Sequence, residues 1–370
     1  MNSVQRHYET HPYPHYPLLA RIRRCDTYAI SLEALWCRFN GAMPPPTART
    51  VLVAGCGSFS PYPFSLANPG CRVTALDLSA ASLRRARLHC LLNLRRNVNF
   101  LRGDLLDGQL APGPFGLIDA FGVLHHLPDP GAGLRALATR LAPGGIMRVM
   151  LYSHGARTRT EAARRALRRL GVQSLTDLKR LLKGLPEGSS LATAVAEAPD
   201  AAFDSGLADA FLHPLVQTFT VAQLETLLAA TGLRPLLFAH AGALSDPSDE
   251  LARLRTLERT RELDSNYLLF LGRDTCGPAQ PEAGALVSLN PCLSGILPRI
   301  PQPVGRLGHP LPPLNRATRK LLRRCRTPQP WETLSVAERQ LARQLAEHLL
   351  LLITGTRQAG GEVDRSPAKC

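Results

Sequence analysis

From residue 51 onward, apolar runs and helical periodicities take turns along the chain. VLVAG at 51–55 is a short apolar run ending on glycine, the mark of a strand buried on both faces. A weak helix around 62–68 follows, then an apolar run at 72–77 (RVTALD). A helix then opens behind Ser79, a good N-cap, and runs to about Asn93. Further runs lie at 97–101, 115–122 and 146–152, the last after a helix over about 131–141 and a Pro143-Gly144-Gly145 turn. After an interruption at 155–217, Thr220 and Gln223 form a capping box, with Phe219 set to staple onto Leu224 and the helix ending at Gly232. Runs at 233–238 and 266–272 flank a helix at about 249–262, and two such runs in succession can pair antiparallel at a sheet edge. The alternation predicts an α/β fold: a doubly wound, seven-stranded, mostly parallel sheet with an antiparallel last strand and a helical insertion after strand five.

The flanks read differently. Residues 18–40 carry Leu18, Ile22, Ile30, Leu32, Leu35 and Trp36 at helical spacing, closed near Gly41. Residues 7–17, HYETHPYPHYP, hold too many prolines for a regular helix. Yet Tyr8, Tyr13 and Tyr16 are out of place in a disordered tail, so this segment is expected to pack over a pocket. Residues 274–313 are rich in Pro and Gly and read as a linker, and 314–356 as a small mainly helical unit. There Ser335 and Glu338 make a capping box for a helix reaching about Ile353, ahead of a disordered tail at 357–370. The expected division is thus an N-terminal aromatic segment with a cap helix (1–47), a sheet domain (48–273) whose 155–217 insertion caps the substrate, the linker, the helical unit and the tail.

Composition narrows the function classes. A chain of 370 residues suits two domains, or one large domain with additions. The nine cysteines are odd in number and scattered without a Cys-x-x-Cys pair, which argues against a metal site and a disulfide framework. No stretch resembles a signal peptide or a membrane span, so a cytoplasmic location is expected. Net charge is +15, with arginine supplying nearly all of the cations. That leaves a nucleic-acid partner open without favouring it, because net charge reports on association in general. Arg164, Arg165, Arg168 and Arg169 form a basic stripe that reads as a solvated helix face or, functionally, as a cap attracting an acidic substrate. The oligomeric state is not legible.

The chemistry concentrates at Gly55-Cys56-Gly57. Glycine permits a tight turn behind the first strand and lets a ligand lie against the backbone. Asp77 ends the next apolar run, twenty positions after Gly57, a spacing that suits a carboxylate accepting from ribose hydroxyls. Four motifs in order, VLVAGCGSF, VTALDLS, FGLIDAFGVLHHLPDP and LAPGGIMRVMLYS, make residues 48–272 resemble the class I S-adenosylmethionine (SAM)-dependent methyltransferases. HPYP near the start and FLHP…FT at 211–220 are similar to an uncharacterised bacterial stand-alone subgroup of them.

The resemblance implies SAM as cofactor. Gly55, Cys56 and Gly57 would lie under its methionine portion, Asp77 at its ribose and Leu78 against its adenine. Asp104 and Leu105 would stand at the adenine edge, and Gly122 and Val123 near the sulfonium. Two positions depart from the pattern: an acid is usual where Val53 stands and a glycine where Phe59 stands. The first departure removes a hydrogen bond near the SAM amino group or its turn; the second leaves Tyr62 or the N-terminal aromatics to supply contacts. Methyl transfer from a sulfonium is a direct displacement that needs alignment, exclusion of water and, for a protonated nucleophile, a base. His125, His126 and His213 are the candidate bases, each also readable as a loop-fixing histidine. Asp119 reads equally as a sheet or cap acceptor. The expected function is SAM-dependent methylation of a small molecule or protein side chain. An RNA methyltransferase and a non-catalytic binding protein of this fold are the alternatives, and a nicotinamide dehydrogenase fits less well because Ser60 occupies its third glycine position.

Overall fold

The computed structural model describes residues 2–186, 188–198, 201–281, 284–295 and 300–355, so the expected tail lies outside the described residues. Seven strands form the main sheet: β1 (Thr50–Ala54), β2 (Arg72–Asp77), β3 (Val98–Arg102), β4 (Phe115–Phe121), β5 (Leu141–Leu151), β6 (Arg234–Phe238) and β7 (Tyr267–Gly272). Their order is β3-β2-β1-β4-β5-β7-β6, with β7 antiparallel to both β5 and β6. This is the doubly wound, mostly parallel sheet with an antiparallel last strand that the alternation predicts. The period-2 rule is visible in β1, where Val51 and Val53 join the core on one face and Leu52 and Ala54 the core on the other. Pro235 is tolerated in β6 because that strand lies at the edge and pairs with β7 alone.

Helices cover both faces. α1 (Ser3–Thr10) and α2 (Leu32–Asn40) precede the sheet, and α3 (Pro61–Ala67), α4 (Ala80–Leu92) and α5 (Pro130–Ala138) connect its strands. α6 (His154–Arg169), α7 (Leu175–Gly184), α8 (Ser190–Ala196) and α9 (Asp204–Leu212) form the insertion, which has a small core of its own around Leu167, Leu178 and Phe211. α10 (Val221–Ala229) and α11 (Pro247–Thr260) serve the last two sheet strands. The Thr220–Gln223 capping box forms with both of its bonds, and the Ser79 side chain caps α4 by accepting from Ser82 N.

The flanks depart from the reading of the sequence. α1 exists: Asn2 caps it by accepting from Gln5 N, and it stops at Thr10 because the first proline comes only at position 12. The helical spacing over 18–40 belongs to two pieces, 3-10 turns at Arg24–Ile30 and then α2, because Ser31 takes an extended conformation and caps the second. The segment read as a linker holds a strand, β8 (Leu286–Leu289), between β9 (Gln329–Pro330) and β10 (Leu351–Thr354). α12 (Arg316–Arg324) and α13 (Val336–Glu347) make the C-terminal unit mainly helical, as expected, and its two short strands pair with β8 of the segment before it. α13 stops at Glu347, short of Ile353; Leu349 takes φ +58° and turns the chain back into β10.

Nor is this unit set apart. Leu345, Leu351 and Leu352 share one continuous core with Trp36 of α2 and Val53 of β1. Asn290 donates to Tyr28 O and Leu349 O, and Gly355 N to Gly41 O. The β8–β10 sheet therefore completes the cover on one face of the large sheet. Leu352→Ala should lower unfolding free energy by about 2–5 kcal/mol, in a single transition by urea denaturation. A separate early transition for the C-terminal unit, with the rest unmoved, would contradict the shared core.

Candidate active site

The carboxyl ends of β1, β2 and β4 open onto a cavity of about 680 Å³, within the range of small-molecule sites. Gly55 and Gly57 both take left-handed backbone, with φ +59° and +56°. Their lack of a side chain matters for a second reason. A Cβ on Gly55 would lie 2.6 Å from Val123, and one on Gly57 2.5 Å from Tyr13 O. The turn is thus clamped between the loop after β4 and the N-terminal segment. Asp77 locks it, accepting from Gly57 N at 2.8 Å through one oxygen and from Ser79 N at 2.8 Å through the other. Burial pushes the Asp77 carboxyl up to about 6 against these two donors.

Gly55, Cys56, Gly57, Asp77, Leu78, Asp104, Leu105, Gly122 and Val123 all line this cavity. Cys56 is buried and its thiol is pushed far up by desolvation, so it is inert filler. The N-terminal segment forms a wall. Glu9 accepts from Ala80 N and Ala81 N at the start of α4, Ser79 Oγ donates to Tyr8 O, and Ser58 N donates to Tyr13 O. Tyr8, Tyr13 and Tyr16 line the cavity, the placement the aromatic content predicts.

Both departures from the family pattern are accommodated. Phe59 turns its ring toward Tyr16, Tyr62 and His89, with centroids 4.3, 5.8 and 4.9 Å away, so it packs beside the turn as part of an aromatic cluster. Val53 stands in register with Asp119, which stands in register with Arg148. Asp119 is buried and accepts from Arg148 Nε at 2.6 Å, and Arg148 borders the cavity over the rings of Phe64 and Phe121. The acid missing from β1 has a counterpart one strand over, committed to an ion pair.

The three candidate bases are brought close but are not equivalent. His125 is fully buried and stacks on Tyr152 at 3.7 Å. Neither His125 nor His213 is among the residues that line the cavity. His126 borders the cavity. Its Nδ1 lies 2.8 Å from Leu215 O, and a carbonyl can only accept. Nδ1 therefore carries the proton, and Nε2 keeps its lone pair. Burial, opposed by the Leu215 bond and assisted by the charges of Arg164, His7 and Arg157, lowers its pKa to about 3. His213 Nδ1 accepts from Leu215 N, which leaves its proton on Nε2.

Asp209 on α9, which the sequence reading missed, accepts from Tyr8 Oη at 2.9 Å. His126, Asp209 and His213 bring one ligand atom each within 4.8 Å of one another, the one such cluster among the described residues. With the His213 proton on Nε2, these three residues are not a ready set of cation ligands. Asp209 and His213 lie four positions apart at the end of α9, but His126 comes from the β4 loop and Tyr8 from α1, so no local spacing displays the whole set. Arg164, placed in the basic stripe, is instead buried and donates to Ala210 O and His213 O, while Arg165, Arg168 and Arg169 face solvent.

Comparison with known proteins agrees with this geometry. A family model described as a methyltransferase domain matches residues 52–147. The ubiquinone biosynthesis O-methyltransferase of Albidiferax ferrireducens is 36% identical over 103 residues, 27% of this chain and 40% of that enzyme. PKMT2 from Rickettsia typhi has a similar fold, with TM-score 0.54 and 17% identity over 75% of this chain and 59% of that one. Over part of its length the chain is thus similar to SAM-dependent methyltransferases. The chain is also similar to an uncharacterized Synechococcus protein, syc1184_c, 27% identical over 73% of this chain and 71% of that protein. The chain spans about two fifths of the ubiquinone enzyme it matches. Among the described residues no helix is long and apolar enough to cross a membrane.

The His126 tautomer and its lowered pKa have a direct readout. In nitrogen NMR of histidine-labelled protein, the His126 ring should stay neutral, protonated at Nδ1, from pH 8 down to pH 5. A midpoint near the ordinary 6.5 would show that the ring is hydrated and not held as described.

Proposed function

We propose that this protein transfers a methyl group from SAM to a nucleophile held between the β4 loop and the α1–α9 roof, with His126 Nε2 as proton acceptor. SAM supplies the methyl group already activated on a sulfonium, so this chain has to bind, orient and keep water out. The observation that carries the reading is the Gly55–Gly57 turn locked by Asp77 at the floor of the cavity.

Asp77 spends one lone pair of each oxygen on the backbone and has others left for the two ribose hydroxyls. Leu78 and Leu105 offer apolar surface for the adenine, and the Asp104 carboxylate an acceptor for its amino group. Gly122 and Val123 border the methionine portion. The N-terminal segment closes over the cofactor, and the 155–217 insertion carries the substrate cap. The substrate is a small molecule or a protein side chain, the location is the cytoplasm, and no membrane is needed. His126 borders the cavity and is unprotonated at physiological pH; with its pKa lowered to about 3 it takes a proton only as substrate binding raises that pKa.

Asp77→Asn should weaken binding of S-adenosylhomocysteine, the demethylated product, by about 10- to 100-fold in calorimetry, since a charged acceptor is lost. In the native chain the affinity should fall as pH drops through about 6, because the raised carboxyl takes up a proton there and gives up an acceptor. Unchanged affinity in the variant, together with a flat profile from pH 5 to 8, would remove the ribose from Asp77.

A further inference from the structure

We propose that Arg157 is the substrate-reading residue of this site and that the substrate is a carboxylate-bearing hydroxy acid. The proposal rests on the methyltransferase reading. Arg157 stands in the first turns of α6 and lines the cavity. Its guanidinium lies over Tyr152, with Cζ 4.0 Å from the ring centroid, and this contact helps to hold the group in place. Nε and Nη2, the two nitrogens of one edge, are buried without a hydrogen-bond partner. A guanidinium N–H taken from water and left unpaired is costly, so such an edge at a cavity is a place for a ligand.

The neighbouring groups are already spoken for. Arg148 pairs with Asp119, and Arg164 donates to Ala210 O and His213 O. Asp77 and Asp104 accept from backbone N–H groups, and Asp209 from Tyr8. Two parallel N–H groups on one flat edge match the two oxygens of a carboxylate, whereas a phosphate asks for more donors around it.

The nucleophile follows from the same neighbourhood. Tyr152 touches Arg157 on one side and presents its edge to His126, with ring centroids 6.0 Å apart. Arg157 and His126 both border the cavity, so a molecule bound there can place an acid group on Arg157 and a hydroxyl at His126. The carboxylate would also offset the arginine charge that now helps to hold His126 and His125 neutral. The methyl group would pass from the sulfonium to the hydroxyl oxygen as the C–S bond breaks and the C–O bond forms. The hydroxyl proton goes to His126, and the sulfur keeps the electron pair.

The test uses the full chain saturated with S-adenosylhomocysteine and two probes of one shape, 4-hydroxybenzoate and 4-hydroxybenzamide. Titration calorimetry should show the acid bound at least about tenfold more tightly than the amide. Arg157→Met should abolish that preference while leaving the affinity for S-adenosylhomocysteine within about twofold, and Arg157→Lys should restore the preference only in part. Equal affinity for the two probes, or no binding of either, would overturn the proposal. So would a tenfold loss of S-adenosylhomocysteine affinity in Arg157→Met, because the arginine would then hold the amino-acid end of the cofactor. Failure of the native chain to bind S-adenosylhomocysteine at all would instead strike the methyltransferase reading beneath it. Melting curves of both variants, matched to the native chain, establish that the fold is intact.

Discussion

One carboxylate ties the site together. Asp77, at the end of β2, accepts from the backbone of Gly57 behind β1 and from Ser79 at the start of α4. Two neighbouring strand ends and a helix N-terminus are thereby fixed around a single buried acid. Its raised pKa records the cost of holding that charge out of water, partly repaid by the two N–H donors. The turn can adopt this shape only with glycine at 55 and 57, where backbone sign and close neighbours both forbid a side chain.

The rest of the chain closes around that point. Glu9 accepts from the first two N–H groups of α4, where a carboxylate meets both unpaired donors and the positive end of the helix dipole. This docks α1 and places Tyr8 against Asp209 of the insertion. The return of the chain from the insertion is fixed as well: Gln217 N donates to His125 O and Phe219 N to Tyr152 O. The histidines after β4 are thus buried by segments nearly a hundred residues away. Burial, more than any single charge, makes them neutral.

The sheet was legible because its signals are local. An apolar run with a glycine behind it, Ser79 before α4 and the Thr220–Gln223 box each express backbone requirements within a few residues. The C-terminal sheet was not legible for the opposite reason. Leu349, Leu350, Leu351 and Leu352 read as the tail of an amphipathic helix, but burial against α2 and pairing with β8 decide otherwise. The cavity residues contributed by strand ends were readable from motif and spacing. Asp209 and Arg157 were not, because each acquires its neighbours only through the fold. Arg164 shows the same limit: four arginines in a short span look alike in sequence, and one of them points inward to three partners.

The central claim is that the Asp77-locked turn is where the adenosine of the cofactor sits. A crystal structure of the full chain grown with S-adenosylhomocysteine tests it most directly. Both ribose hydroxyls should lie within hydrogen-bonding distance of the Asp77 carboxylate, with the adenine between Leu78 and Leu105. A ligand bound elsewhere, or one that leaves Asp77 bonded only to Gly57 and Ser79, would contradict the account.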